Sequence, residues 1–203
     1  EETIGRALEV AGCRYERPAD IDLRSAELLA GGEVVARFHG RLEYGPRALG
    51  NRSLLYRAND PAVNDWLNAH LKRTEFMPFA PVTLAEHADA CFEGMAGGER
   101  AARYMTITFP VTPAMTEQSP GVVHLDGTAR PQIIHEADNP GYHAVLRHHL
   151  ALTGNPTLIN TSFNMHGEPI VCSPEDAIRA FRASGLPWLT VGPFLVSGEV
   201  SGP

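Results

Sequence analysis

The stretch TLINTSFNMHGEPIV, residues 157–171, constrains the fold more than any other part of this chain. Thr157, Leu158 and Ile159 form a short apolar run of strand character, which belongs inside a sheet rather than at its surface. The run breaks into Asn160, Thr161, Ser162 and Asn164, followed by Gly167. Open α/β sheets bind ligands at the carboxyl ends of their strands. Short hydroxyl and amide side chains there can hydrogen-bond phosphate oxygens or a nucleobase without bringing a charge. The same residues also build Asx and ST turns that only terminate a strand, so both readings stand at this point.

The remaining sequence supplies the other elements of an α/β fold. Ile4, Ala7, Leu8 and Ala11 lie at helical spacing within residues 3–13, which end at Gly12. Residues 20–31 predict a second helix with Asp20 as N-cap and Gly31-Gly32 as its stop. A helix is also expected from Asp60-Pro61 to Leu71, with Asp60 as its cap and Pro61 in the first turn, and others over Ala85–Phe92, over Pro140–Leu152, and over Pro174–Ala183 behind Ser173. Strands are expected at 33–39, 52–57, 80–84, 104–109, 132–135, 157–160, 188–191 and 194–196, and Gly94–Arg100 reads as a polar loop. No repeat or composition shift divides the chain, so one α/β domain over residues 1–203 is expected.

Several function classes are disfavoured. No apolar run reaches the roughly 20 residues of a membrane helix, and residues 1–3 carry no signal-peptide features. No membrane partner is expected, and a cytoplasmic location is the default. Cys13, Cys91 and Cys172 form no CxxC pair, and the nine histidines form no HExxH or HxxxH pattern, so no metal site is expected. His148 and His149 read as surface residues of a helix. No GxSxG, GxGxxG or Walker loop occurs. The formal charge of −7 disfavours a nucleic-acid surface, yet it is unevenly spread. Residues 41–75 hold Arg41, Arg47, Arg52, Arg57, Lys72 and Arg73 against Glu43, Asp60, Asp65 and Glu75, which makes that stretch +2 and the remainder −9. A local basic segment in an acidic chain suits a small anion better than a polyanion.

Three further segments carry chemistry. In residues 40–53, GRLEYGPRALGNRS, glycines allow close backbone approach and arginines offer planar forks for phosphate or carboxylate oxygens. A turn held by pairing of an arginine with Glu43 is the structural alternative. Residues 68–81, NAHLKRTEFMPFAP, place Lys72 and Arg73 at a helix end, where a cation serves either the helix dipole or a bound phosphate. In residues 124–132, HLDGTARPQ, Asp126-Gly127 signals a tight turn that does not itself require Arg130.

Taken in order, GRLEYGPRALGNRSLL, PFAPV, HLDGTARPQ and NTSFNMHGEPIVCSPEDA resemble the C-terminal domain of the O-carbamoyltransferases of nodulation-factor and antibiotic biosynthesis. The resemblance covers the chain from about Thr3 to Val196. It implies a YrdC/Sua5-like twisted open mixed sheet flanked by helices. It also implies an ATP-dependent activity in which carbamoyl phosphate and ATP, as its Mg²⁺ complex, give carbamoyl adenylate. A separate N-terminal Kae1-like domain, absent from this sequence, would be the partner that moves the carbamoyl group to an acceptor hydroxyl. Carried over by motif, Lys72, Arg130 and Ser162 are the expected catalytic residues. Arg47, Arg52, Arg73, Asn160, Thr161 and Asn164 are the expected substrate- and nucleotide-binding residues. One departure is Met77, where many relatives carry arginine before PFAP. Two other functions remain open: a nucleotide-binding module inactive without its partner domain, and a tRNA-binding YrdC-like protein, which the acidic remainder disfavours.

Overall fold

The computed structural model describes residues 1–71 and 79–198. The first half of the chain forms α1 (Glu2–Val10), β1 (Tyr15–Glu16), α2 (Ile21–Ala30), β2 (Val35–Phe38), β3 (Arg52–Arg57), α3 (Val63–His70) and β4 (Ala80–Leu84). Short elements follow: α4 (Ala88–Cys91), α5 (Glu99–Ala102), β5 (Phe109–Pro110), α6 (Pro113–Gln118), β6 (Thr128–Ala129) and β7 (Gln132–Ile134). The chain closes with α7 (Pro140–Thr153), β8 (Thr157–Ser162), α8 (Pro174–Ser184), β9 (Trp188–Val191) and β10 (Phe194–Ser197).

Eight strands form one mixed sheet in the order β1-β10-β9-β2-β3-β8-β4-β7. The β2–β9 and β4–β7 pairs are parallel and the others antiparallel. Alternation along each strand sends side chains to two separate cores. Ala36, Phe38, Leu54, Tyr56 and Ile159 pack beneath Ala7 and Leu8 of α1 and Ile178 and Phe181 of α8. Val35, Leu55 and Leu158 pack beneath Leu28 and Leu29 of α2 and Val145 and Leu146 of α7. Helices on both faces of a mixed sheet are the α/β architecture that the sequence predicts.

The helix ends show why these segments start where they do. Asp20 Oδ1 accepts from the backbone N–H groups of Asp22 and Leu23 at 3.0 and 2.9 Å, capping α2 as expected. Ser173 and Asp176 complete a reciprocal capping box at α8, each side chain accepting from the other's backbone N–H at 3.1 Å. Asp60 does not cap α3; its Oδ1 accepts from Ala62 N–H at 3.0 Å in a turn that precedes the helix.

Three further expectations are corrected. The strand expected over 104–109 is confined to Phe109, where β5 begins: Met105 has φ of +56° and Thr106 Oγ1 donates to Ala101 O at 2.9 Å, so the chain turns off the end of α5. The apparent alternation misled because Ile107 is exposed while Met105 and Phe109 are buried. The loop expected over Gly94–Arg100 gives way to α5 at Glu99, and α6 was not anticipated. His149 is buried rather than a surface residue; its Nδ1 lies 3.1 Å from Asn155 O, which as a carbonyl can only accept.

Burial pushes His149 below its ordinary value, with the Asn155 hydrogen bond opposing in part. His39 is also lowered, chiefly by burial and then by the charge of Arg37. Both are neutral in the folded chain at neutral pH, while their unfolded counterparts take up protons near pH 6.5. Stability is therefore complete above that pH and falls as pH drops from about 6.5 toward the depressed folded values. Thermal melts from pH 7.5 to 5 should show this decline, and His149→Gln should flatten it; an unchanged slope would remove His149 as a contributor.

Candidate functional site

β8 runs antiparallel between β3 and β4, so its carboxyl end emerges beside the amino ends of both neighbours. A cavity of about 220 Å³ opens there. Asn160, Thr161, Ser162 and Asn164 line it from β8 and the following turn, Arg47 and Ala48 from the β2–β3 connection, Phe79 and Ala80 from the start of β4, and Arg130 from the β6–β7 connection. A second chamber of about 420 Å³, bounded by Tyr44, Tyr104 and Thr106, shares the wall residues Pro46, Arg47, Met105 and Arg130.

The β2–β3 connection has no ladder to hold it. Residues 40–50 make no backbone–backbone hydrogen bond with another described residue. Side chains take up the backbone groups instead. Glu43 Oε1 accepts from the N–H groups of Leu49 and Asn51, both at 2.7 Å, and so closes Tyr44–Ala48 into a projecting tip that carries Arg47. This replaces the arginine–Glu43 pairing considered from sequence. Asn160 Nδ2 donates to Ala48 O at 3.1 Å and to Gln132 Oε1 at 2.7 Å, and Gln132 Nε2 donates to Leu49 O at 2.8 Å. Gly50 has φ of +117°, and a Cβ there would sit 2.1 Å from the Tyr142 ring, so no other residue fits.

Two cations meet in the cavity. Arg47 is exposed and Arg130 half-buried, and neither has a hydrogen-bond or ion-pair partner among the described residues. Burial, and next the nearby Arg47 charge, lower Arg130 from the ordinary arginine value, although a guanidinium remains protonated. Among the described residues no carboxylate lines the cavity. Like charges converging with no counter-ion among the described residues, in a partly desolvated cleft, form an attractive field for an anion.

Six expected site residues therefore come together: Arg47, Arg130, Asn160, Thr161, Ser162 and Asn164. Arg52 does not join them. It is 3% exposed, its NH1 donates to His39 O and Asn51 O at 2.8 Å and its NH2 to Gly40 O at 3.1 Å, and its guanidinium lies 3.6 Å from the Phe38 ring centroid. A fork committed to three carbonyls and stacked on an aromatic ring shapes the loop instead of gripping a ligand. Lys72, Arg73 and Met77 lie outside the described residues. Met105 and Gln132 were not anticipated as site residues. Met105 carries the left-handed backbone on the wall between the chambers, and nothing in its sequence neighbourhood signals that.

The family profile described as carbamoyltransferase C-terminus matches residues 26–198. The chain belongs to this family. Nodulation protein NolO of Bradyrhizobium diazoefficiens is 41% identical over 182 residues, covering 89% of this chain and 33% of that protein. The chain thus spans about a third of the length of the curated relatives it matches. Among solved structures, full-length HypF in its phosphate- and nucleotide-bound form superposes with TM-score 0.56 at 20% identity, over 82% of this chain and 24% of that one. A variant of P. abyssi Sua5 superposes with TM-score 0.53 at 13% identity, over 88% and 46%. The expected YrdC/Sua5-like fold is the one found. Among the described residues no three His, Cys, Asp or Glu side chains group to hold a metal, and no helix is long and apolar enough to cross a membrane.

The loop clamp gives a direct test. Glu43→Ala removes two charge-assisted hydrogen bonds, each contributing about 1.5–3 kcal/mol, so limited trypsin digestion should cut after Arg41 and Arg47 much faster than in the unaltered chain. Equal cleavage rates would mean that the tip is held by other contacts.

Proposed function

We propose that this chain forms carbamoyl adenylate from carbamoyl phosphate and ATP, for delivery to an acceptor hydroxyl by a Kae1-like domain. The observation that carries the reading is the pair Arg47 and Arg130, unopposed by any carboxylate among the described residues, at the polar end of β8. Family membership supports the carbamoyl part, and the fold shared with HypF and Sua5 is compatible with nucleotide handling.

Mass balance fixes the outline of the chemistry. Releasing both phosphate and pyrophosphate consumes one water, which cleaves carbamoyl phosphate to carbamate and phosphate. A carbamate oxygen then attacks the α-phosphorus of ATP; that P–O bond forms as the bond to pyrophosphate breaks, and the electron pair leaves with pyrophosphate. Such transfers need positioning and charge neutralisation more than a nucleophilic side chain. Arg47 and Arg130 would hold phosphoryl oxygens, Ser162 the carbamoyl group, and Asn160 and Asn164 the shape of the pocket. The chamber beside Tyr104 and Tyr44 is the room left for the nucleoside. Lys72 and Arg73 are assigned to the ATP phosphates by motif. Mg²⁺ would enter as part of the ATP complex, held by phosphate oxygens and water.

The purified chain, given ATP, Mg²⁺ and carbamoyl phosphate, should release pyrophosphate above a control lacking carbamoyl phosphate. Arg130→Ala should lower that rate by about 100-fold, as expected for one lost charge-stabilising donor, with an unchanged melting curve. ATP binding without pyrophosphate release, restored by a Kae1-like partner domain, would instead select a nucleotide-binding module. Neither binding nor release would sink the proposal.

A further inference from the structure

Asn164 sits in the turn after β8, where an Asx-type role in shaping the chain would be enough to explain it. Its hydrogen bonds do more. Nδ2 donates to Met165 O and to Glu168 O, each at 3.0 Å. Backbone carbonyls can only accept, so these two bonds fix which way the side-chain amide faces. Oδ1 is thereby presented to Ser162, and it too can only accept. Ser162 Oγ must donate its one proton to it, at 2.6 Å.

What Ser162 retains for the cavity is its lone pairs. Arg47 and Arg130, which line the same cavity, are pure donors. The site thus pairs two cationic donors with an enforced acceptor at Ser162. The dianion of an acyl phosphate that bears no N–H or O–H satisfies only the first. A ligand that satisfies both carries an anionic group and, next to it, a hydrogen-bond donor.

We infer that Asn164 is a positioning residue that holds Ser162 as a hydrogen-bond acceptor, so that the site selects an acyl phosphate bearing an N–H donor over one of equal size without it. This inference rests on the carbamoyl-adenylate reading and adds the basis of its selectivity. The amino group of carbamoyl phosphate can donate to Ser162. Acetyl phosphate has a methyl group of similar volume in the same place and cannot. Its binding would leave the Ser162 oxygen facing a methyl, and sites built to hydrogen-bond an N–H or O–H reject analogues that lack it far more strongly than apolar pockets reject a changed methylene.

The test measures pyrophosphate release with ATP and Mg²⁺, using carbamoyl phosphate and acetyl phosphate in parallel, for the unaltered chain, Ser162→Ala and Asn164→Ala, with melting curves for each. The unaltered chain should prefer carbamoyl phosphate by at least about 100-fold in kcat/KM, the range expected where a designed hydrogen bond is lost. Ser162→Ala should lose most of its rate with carbamoyl phosphate and much less with acetyl phosphate, so that the ratio collapses. Asn164→Ala frees the Ser162 hydroxyl to turn and should reduce the ratio as well. If that variant unfolds, Asn164→Ser, which keeps a short polar residue in the turn without fixing the direction of the Ser162 proton, is read in its place. Proportionate loss with both substrates in either variant, or no preference in the unaltered chain, overturns the inference while leaving adenylate formation standing. No pyrophosphate from the unaltered chain with either substrate overturns the carbamoyl-adenylate reading and the inference with it.

Discussion

Everything at the cavity depends on how the β2–β3 connection satisfies its backbone. A connection without a ladder, lying partly against the sheet, must find partners for its carbonyls or bear the cost of burying them unpaired. Here four successive carbonyls are each claimed by a different strand. Asn160 of β8 takes Ala48 O, Gln132 of β7 takes Leu49 O, Arg37 of β2 takes Gly50 O, and Arg52 of β3 takes Asn51 O. Arg47 sits immediately before this series, so its placement is inherited from the register of the sheet. Asp22 of α2 completes the arrangement by pairing with the nearly inaccessible Arg37 at 3.0 Å. Removing that carboxylate would strand a buried cation, a change of about 3–5 kcal/mol.

The polar residues near the cavity consequently divide by where their hydrogen-bonding capacity is spent. Asn160, 1% exposed, commits both amide protons to holding the loop, and Arg52 commits its guanidinium to carbonyls. Arg47 and Arg130 commit nothing to described residues. Ser162 commits its proton but not its lone pairs. Residues of one chemical type thus end up in opposite roles around one connection, and the difference lies in their partners.

This division also explains what could be read from the sequence. The strands at 52–57 and 80–84 and the Asp20 and Ser173 caps follow from local composition and appear where expected. The cavity at the end of β8 was legible because an apolar run ending in short polar residues has few places to go in a sheet. Arg47 and Arg52 could not be told apart, because both stand in one Gly- and Arg-rich motif. Only the folded chain reveals that one fork ends on carbonyls and the other at the cavity wall, with no partner among the described residues. His149 was misread because helical spacing places it beside His148 but says nothing of the Asn155 carbonyl beyond the helix end. Residues 104–109 failed for a related reason: alternation in sequence cannot report the left-handed turn at Met105.

The electrostatics of the cavity follow from the same constraint. A chain with net charge −7 has no general reason to attract anions, and its acidic surface opposes them. The sheet, through the four carbonyl anchors, holds Arg47 near Arg130 although the two repel, and that repulsion contributes to lowering Arg130. The scaffold therefore stores an unfavourable like-charge arrangement that an anion relieves on binding, in a cleft whose partial desolvation strengthens the attraction. Anchors buried beneath the loop and the cation pair formed by Arg47 at its tip and Arg130 beside it are two halves of one device. The first half must be rigid because the second is repulsive when empty.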